Sequence, residues 1–294
     1  MLTVRGLSKA IDQQEVLKGV DFMLQQGQVV GVVGRNGAGK TTLFKTMAGV
    51  LIPDSGTVEY EGKSIHEHPQ TKKNVIFVPD SPEALFGYTP IESAKFYAQI
   101  YPAFDMDYFK NTLLRLELPL NRKIRQFSKG MRMMFSTVLG LSTKAQFILL
   151  DEPTNGIDAI AKKQVMTLLI EAAEEGRTLV ISSHLLGELE RIADTILIMK
   201  DGAIETHVMA ESVNGAIVKY QIVFQGDTQK EWLASPNVQV LENVGRVYTV
   251  LIDSESNAKV LSELSLLNPL LMEQLPMKLE DLFVWKLGGK NHVG

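Results

Sequence analysis

The chain predicts an α/β fold in which a mainly parallel sheet carries an antiparallel β lobe and a helical insert, with a small α+β unit appended. Three observations carry this. Short apolar, β-branched segments at 29–33, 75–78, 147–150, 179–183 and 196–199 alternate with helical patterns as far as Gly202, and strands this apolar suit a sheet covered on both faces. The stretch from about 89 to 141 is helical in texture and punctuated by Pro90 and Pro119, which makes it an insert between two core strands. After Lys200-Asp201-Gly202 strand-like alternation takes over, so a main domain is expected at 1–205 and a second at 206–294.

Taken in order, Leu2 to Val4 and Val20 to Leu24 are expected as strands, and Gly56 to Tyr60 followed by Glu61-Gly62 as a hairpin, which together form the antiparallel lobe. Helical patterns cover 43–48, 91–101, 105–116, 131–141 and 159–174. In the second unit, strands at 218–224, 238–241 and 247–252 precede a helix from about Asn257 to Leu267, an apolar segment Leu270 to Leu275 and a closing helix Leu279 to Trp285. That unit has no chemical motif: His207, Trp232 and Trp285 are isolated, and the tryptophans are expected as core or contact residues. His66 and His68 are expected in a solvated loop.

The 294 residues are 45% hydrophobic, enough for a well-buried main domain and a smaller second one. A net charge of −4 argues against a surface built on phosphate neutralisation, so no nucleic-acid partner is expected. The absence of cysteine excludes a disulfide framework, a Cys-ligated zinc site and thiol catalysis. Met1-Leu2-Thr3-Val4-Arg5-Gly6 lacks the features of a secretory signal, and the apolar runs are far shorter than the roughly 20 residues of a membrane helix. A soluble chain is expected, with any membrane role supplied by a partner.

Gly34-Arg35-Asn36-Gly37-Ala38-Gly39-Lys40-Thr41-Thr42 satisfies G-x-x-x-x-G-K-[ST] between a strand and a helix, the context this motif requires. Small residues let the backbone wrap an anion, so that consecutive N–H groups and the positive helix end converge on phosphates. Gly34, Asn36, Gly37, Ala38, Gly39, Lys40, Thr41 and Thr42 are the expected nucleotide-binding set, with Lys40 on the outer phosphates and the Thr41 hydroxyl on Mg²⁺. The core is thus expected to be of the P-loop NTPase type, holding a nucleoside triphosphate.

Asp151-Glu152 follows the apolar strand 147–150, at the strand end where open α/β sheets bind ligands. There Asp151 can hold the Mg²⁺ hydration shell and Glu152 can polarise an attacking water as the catalytic base. The plain alternative is an acidic N-cap for the helix at 159–174. His184 follows the strand 179–183, from where an imidazole donor reaches a γ-phosphate; a purely structural histidine is the alternative there.

These residues, with Phe127-Ser128-Lys129-Gly130-Met131 about twenty residues before the acidic pair, resemble the nucleotide-binding domain of the ABC ATPase family over about Leu2 to Glu205. The resemblance makes Asn155-Gly156-Ile157-Asp158 the D-loop, with Asp158 in dimer coupling, and His184 the switch histidine. It implies ATP and Mg²⁺ as cofactors, and a head-to-tail dimer in which Ser128 and Gly130 of one subunit close over the nucleotide of the other. It also implies a separate integral-membrane permease and a cytoplasmic place on the inner membrane face through it. A helix N-cap without a trans role is the alternative for Ser128.

Four residues at three sites depart from the common family pattern. Ile11 stands where an aromatic usually stacks on adenine, Asp80 stands at the Q-loop glutamine and is expected near Mg²⁺ and the phosphates, and the signature carries Lys129 and Met131. Lys129 belongs to a basic run with Arg122, Lys123, Arg125 and Arg132, expected as a solvated face; the alternative is a surface that attracts the partner's nucleotide or meets the membrane subunit. The carboxylate, the Ser-Lys-Gly-Met signature and the closing Leu279-Glu280-Asp281-Leu282-Phe283 are similar to the branch that exports drugs, antibiotics and peptides. A transport ATPase is therefore expected; the alternative is a soluble ABC-type ATPase acting on nucleic acid or ribosomes.

Overall fold

Two long strands open the chain, β1 (Leu2–Ile11) and β2 (Gln14–Leu24), antiparallel and joined by a two-residue turn in which Asp12 and Gln13 both have positive φ. They run further than their apolar pattern suggests because register shifts between Val4 and Leu7 and again near Lys9 break the alternation. The main strand β3 (Val29–Val33) is buried at every residue and leads into helix α1 (Lys40–Met47). Next come β4 (Ser55–Tyr60), which pairs with β1, and its short partner β5 (Lys63–Ser64).

After β6 (Val75–Val78) comes the helical insert: α2 (Pro90–Ile100), α3 (Met106–Arg115) and α4 (Lys129–Ser142). Each helix begins on a side-chain cap: a capping box of Thr89 and Glu92 with Pro90 at the first helical position, Asp105 receiving Tyr108 N–H, and Ser128 receiving Met131 N–H. Then follow β7 (Phe147–Asp151), α5 (Ala159–Glu174), β8 (Thr178–Ser183), the short α6 (Leu186–Leu189), β9 (Thr195–Lys200) and β10 (Ala203–Met209).

The structure, a computed structural model, describes residues 1–184, 186–189, 192–209, 217–225, 235, 237–277, 281, 284 and 285. The chain divides into two units, Met1–His207 and Val208–Gly294. In the first, a six-stranded sheet has the order β10-β9-β3-β8-β7-β6, with β9, β3, β8, β7 and β6 mutually parallel, and a four-stranded sheet has the order β2-β1-β4-β5. This is the expected α/β architecture. Helix α1 is trapped between the sheets: Leu43, Phe44 and Met47 share one core with Leu2, Val20 and Phe22 of the lobe and with Val30, Phe147 and Leu149 of the main sheet. Burial of such side chains is worth about 1.5–3 kcal/mol each, so α1, only eight residues long, is held by packing from two sides.

In the second unit β11 (Ile217–Val223), β12 (Val238–Val244), β13 (Val247–Asp253) and β14 (Leu271–Leu275) form an antiparallel sheet ordered β12-β13-β11-β14, with helix α7 (Asn257–Ser265) packing Val260 and Leu264 into its core. The apolar segment at 270–275 is thus an edge strand. Lys219 and Asp281 form an ion pair at 2.8 Å. Trp285 is half-buried, whereas Trp232, the side chain of His207 and most of Leu279 to Phe283 lie outside the described residues.

Helix α4 crosses β6 through Gly140, where an added Cβ would lie 2.5 Å from Cγ2 of Val78. Gly140→Ala is expected to lower the urea-unfolding free energy of the chain by about 1–3 kcal/mol, the usual cost of overpacking. An unchanged midpoint would show that the helix can back away freely.

Candidate active site

The parallel register brings four loops to one edge. Val33 lies opposite Ser183, Asp151 opposite Ser182, and Val78 opposite Leu150, so Gly34, His184, Glu152 and Asp80 each follow within two residues of the last paired position on adjacent strands. This is the C-terminal edge of the strands, where open α/β sheets bind their ligands.

The phosphate loop is built by close approach. A Cβ on Gly34 would lie 2.4 Å from the Met199 carbonyl oxygen, and one on Gly39, whose φ is +104°, would lie 2.9 Å from the Val16 carbonyl oxygen. Only glycine lets the backbone pass there. Ala38 N–H donates to Arg35 O at 3.1 Å and Leu43 N–H to Gly39 O at 2.8 Å, which turns the chain directly into α1. The first amides of that helix have no intrahelical acceptor and face the loop's concavity with the positive end of the helix dipole. The Lys40 side chain is 5% exposed, and its ammonium donates to Gly34 O at 2.8 Å and Arg35 O at 3.3 Å and pairs with Glu152 Oε1 at 3.2 Å.

Both Asp151 oxygens are engaged: Thr41 Oγ1 donates to Oδ2 and Ser182 Oγ to Oδ1, each at 2.6 Å. Glu152 then leaves the strand with φ +47°, its N–H donating to Ser182 Oγ at 2.8 Å, and its Oε2 lies 2.6 Å from His184 Nδ1. Lys40, Glu152 and His184 therefore form one chain of contacts. The N-cap of α5 is Asp158, with Oδ1 accepting from Ile160 and Ala161 N–H at 3.0 Å, so capping of that helix does not account for Asp151-Glu152.

Among the described residues no group of three or more His, Cys, Asp or Glu side chains could hold a metal ion. Asp151 and Thr41 supply two hard oxygens side by side, the donor set that suits Mg²⁺ when phosphates provide further ligands. The residues present fit that ion as a companion of a nucleotide.

The remaining expected residues fall at the periphery. Asp80 is exposed and makes no hydrogen bond or ion pair among the described residues. Ile11 sits at the turn end of β1, 38% exposed, five residues from the Val16 that abuts Gly39. Ser128 is exposed at the start of α4, while Gly130 is buried, and a Cβ on it would lie 2.7 Å from Cβ of Ala161 and 3.5 Å from Oδ2 of Asp158. Lys129 leans on the adjoining turn, its Nζ 2.7 Å from where a Gly156 Cβ would stand. Residues 128–130 and the turn at 155–158 thus pack together within one chain.

Of the basic run, Arg132 departs from a solvated face: it donates to Arg125 O at 2.8 Å and stacks 4.4 Å over the Phe86 ring. His66 is also half-buried, against Leu51 O at 2.9 Å. Two residues escape sequence reasoning, Val16 and Ser182. The sequence signal for Ser182 is slight, since β8 carries hydroxyls at Thr178 and Ser183 as well.

Residues 17–155 match the ABC transporter family. Over 291 residues the chain is 35% identical to the ABC transporter ATP-binding protein YtrB of Bacillus subtilis, covering 99% of each. The chain belongs to the ABC transporter ATP-binding proteins. It is also 30% identical over 208 residues to the Nod factor export ATP-binding protein I of Ralstonia nicotianae, covering 69% of this chain and 65% of that one. A solved ATP-binding subunit of an ABC transporter superposes with a TM-score of 0.64 at 26% identity, covering 72% of this chain and 91% of its own. The chain is accordingly the ATP-binding subunit of an ABC transporter and an ATPase, a family whose cassettes bind ATP with Mg²⁺. No described helix is long and apolar enough to cross a membrane.

The Gly130–Ala161 approach separates packing from chemistry. Gly130→Ala is expected to destabilise the chain by about 1–3 kcal/mol, and Ala161→Gly in the same chain to recover much of it. The check is a double-mutant cycle of urea-unfolding free energies; additive losses would show that the two residues do not meet.

Proposed function

We propose that this chain is the motor of an exporter, hydrolysing ATP with Glu152 as the base and passing the resulting motion to a separate permease. The observation that carries the catalytic reading is the Lys40–Glu152–His184 chain at the mouth of the phosphate loop. A triphosphate entering that loop presents oxygens to Lys40, which exchanges its Glu152 partner for phosphate. Glu152, still held by His184, is then free to accept a proton from a water attacking the γ-phosphorus, and the bond to the ADP oxygen breaks. Mg²⁺, when bound beside Thr41 and Asp151, supplies charge neutralisation at the phosphates. Ile11 is the residue nearest in role to an adenine platform, offering apolar rather than aromatic contact. Asp80 brings an added negative charge to the same edge, which tunes rate or metal affinity.

Ser128 and Gly130 open α4 with helix-start amides that suit a phosphate of a second subunit, and Asp158 ties this signature to the neighbouring D-loop turn. The reading is therefore a shared site in a dimer, with its partner either a second copy or a related ATP-binding subunit. For the permease, a groove of about 300 Å³ between β6 and the helical insert is lined by Phe77, Pro79, Pro82, Leu85, Phe96 and Tyr97, directly beside Asp80. An apolar permease segment seated there would hold the chain on the cytoplasmic membrane face and feel any movement of the Asp80 loop. Export of a peptide, antibiotic or drug-like substrate is supported by the Ser-Lys-Gly-Met signature, the carboxylate at position 80, and similarity to a relative named for Nod factor export.

Glu152→Gln is expected to cut ATP turnover by about 100-fold or more while nucleotide binding persists, and to yield an ATP-dependent dimer on gel filtration. A variant that stays monomeric with ATP and Mg²⁺ rules against the shared site. Expressed with neighbouring membrane subunits, the chain is expected to co-purify with one of them; pelleting with ribosomes or DNA instead would favour the soluble alternative.

A further inference from the structure

We propose that Ser182 is a positioning residue for hydrolysis, with one hydroxyl fixing both the metal-side carboxylate of Asp151 and the backbone turn of Glu152. The proposal rests on the roles assigned above to those two acids. Ser182 is fully buried in β8, directly after the apolar run Leu179, Val180 and Ile181. A serine hydroxyl has one proton to give. Here it goes to Asp151 Oδ1 at 2.6 Å, while the oxygen receives Glu152 N–H at 2.8 Å.

Each contact has a consequence for the reaction. With Oδ1 held by Ser182, rotation of the Asp151 carboxylate about its own axis is opposed, so Oδ2 stays against Thr41 Oγ1, the oxygen pair that would hold the metal of a bound nucleotide. Thr41 donates its proton to Asp151 and keeps its lone pairs free, so a divalent ion can be accepted without rearranging either residue. The second contact acts on the base. Glu152 lies in the left-handed region with φ +47°, which non-glycine residues adopt uncommonly. Its N–H is satisfied by the Ser182 oxygen, and that turn sends its side chain towards Lys40 and His184. The Asp151–Ser182 register between parallel strands makes the double contact possible.

The test compares Ser182→Ala and Ser182→Thr with the parent chain, all with a non-hydrolysable ATP analogue bound, by titrating Mn²⁺ and following free ion by electron paramagnetic resonance. Ser182→Ala is expected to weaken Mn²⁺ binding about tenfold and to lower kcat about as much, leaving metal-free nucleotide binding nearly unchanged, as for loss of a hydrogen bond to a ligating carboxylate. Ser182→Thr keeps the donor and is expected to restore the Mn²⁺ midpoint. If Ser182→Ala melts too low to assay, Ser182→Cys, similar in size and a poor donor, carries the same expectation. A parental Mn²⁺ midpoint in the alanine or cysteine variant, alongside a weakened one in Asp151→Asn, overturns the proposal alone. Parental midpoints in all of them overturn the metal-side reading of Asp151 together with it.

Discussion

A carboxylate at the end of a fully buried strand has to find its hydrogen bonds inside the protein, and the first unit is arranged around meeting that demand for Asp151. The side chain is 4% exposed, and the two hydroxyls that reach it come from different elements, Thr41 on α1 and Ser182 on β8. An unmet acceptor there would cost about 1–3 kcal/mol or more, so β7, β8 and the first turn of α1 are locked in one relative position. The phosphate loop is the connection between β3 and α1. Once its far end is held to Asp151 and its near end passes under the Met199 carbonyl, little freedom is left in its shape.

The same economy appears where α4 meets α5. Gly130 lets the start of α4 come close to Ala161, and Asp158 caps α5 while its second oxygen lies beside that contact. A helix start aimed outward and a turn leading back to Glu152 thereby become one rigid corner. Anything that moves Ser128 bears on α5, and α5 begins only a few residues after Asp151 and Glu152. Local packing within one chain thus provides a route between residues 128–130 and the acidic strand.

Much of this was legible in the sequence, for a physical reason. The phosphate loop, the acidic strand end and the strands at 29–33 and 75–78 are local features whose residues lie next to one another in the chain. Strands β1 and β2 were longer than their pattern implied because bulges at the positive-φ residues Gly6 and Gly19 interrupt the period-2 alternation that marks a strand. Ser182 and Val16 were invisible for a different reason. Their significance comes from register and close approach between segments far apart in sequence, Ser182 to Asp151 across 31 residues and Val16 to Gly39 across a sheet-to-loop contact. Asp158 was legible as part of a motif, but its capping of α5 depended on where that helix starts.

The resting arrangement of charges also bears on how binding and turnover are linked. Lys40 is nearly buried and Glu152 is 14% exposed at its side chain, so neither is screened well by water, and each is the other's nearest opposite charge. A nucleotide that takes Lys40 exchanges one anionic partner for another, and the ammonium never stands unpaired. In the proposed reaction Glu152 gives up that cation in the same event, while its contact with His184 Nδ1 at 2.6 Å does not depend on Lys40. On the proposed reading of Glu152 as the base, its carboxylate is thus relieved of the Lys40 ammonium when substrate arrives and held by it when substrate is absent. With the backbone pinned at Ser182, the carboxylate gains freedom to take a proton without gaining freedom to leave the site.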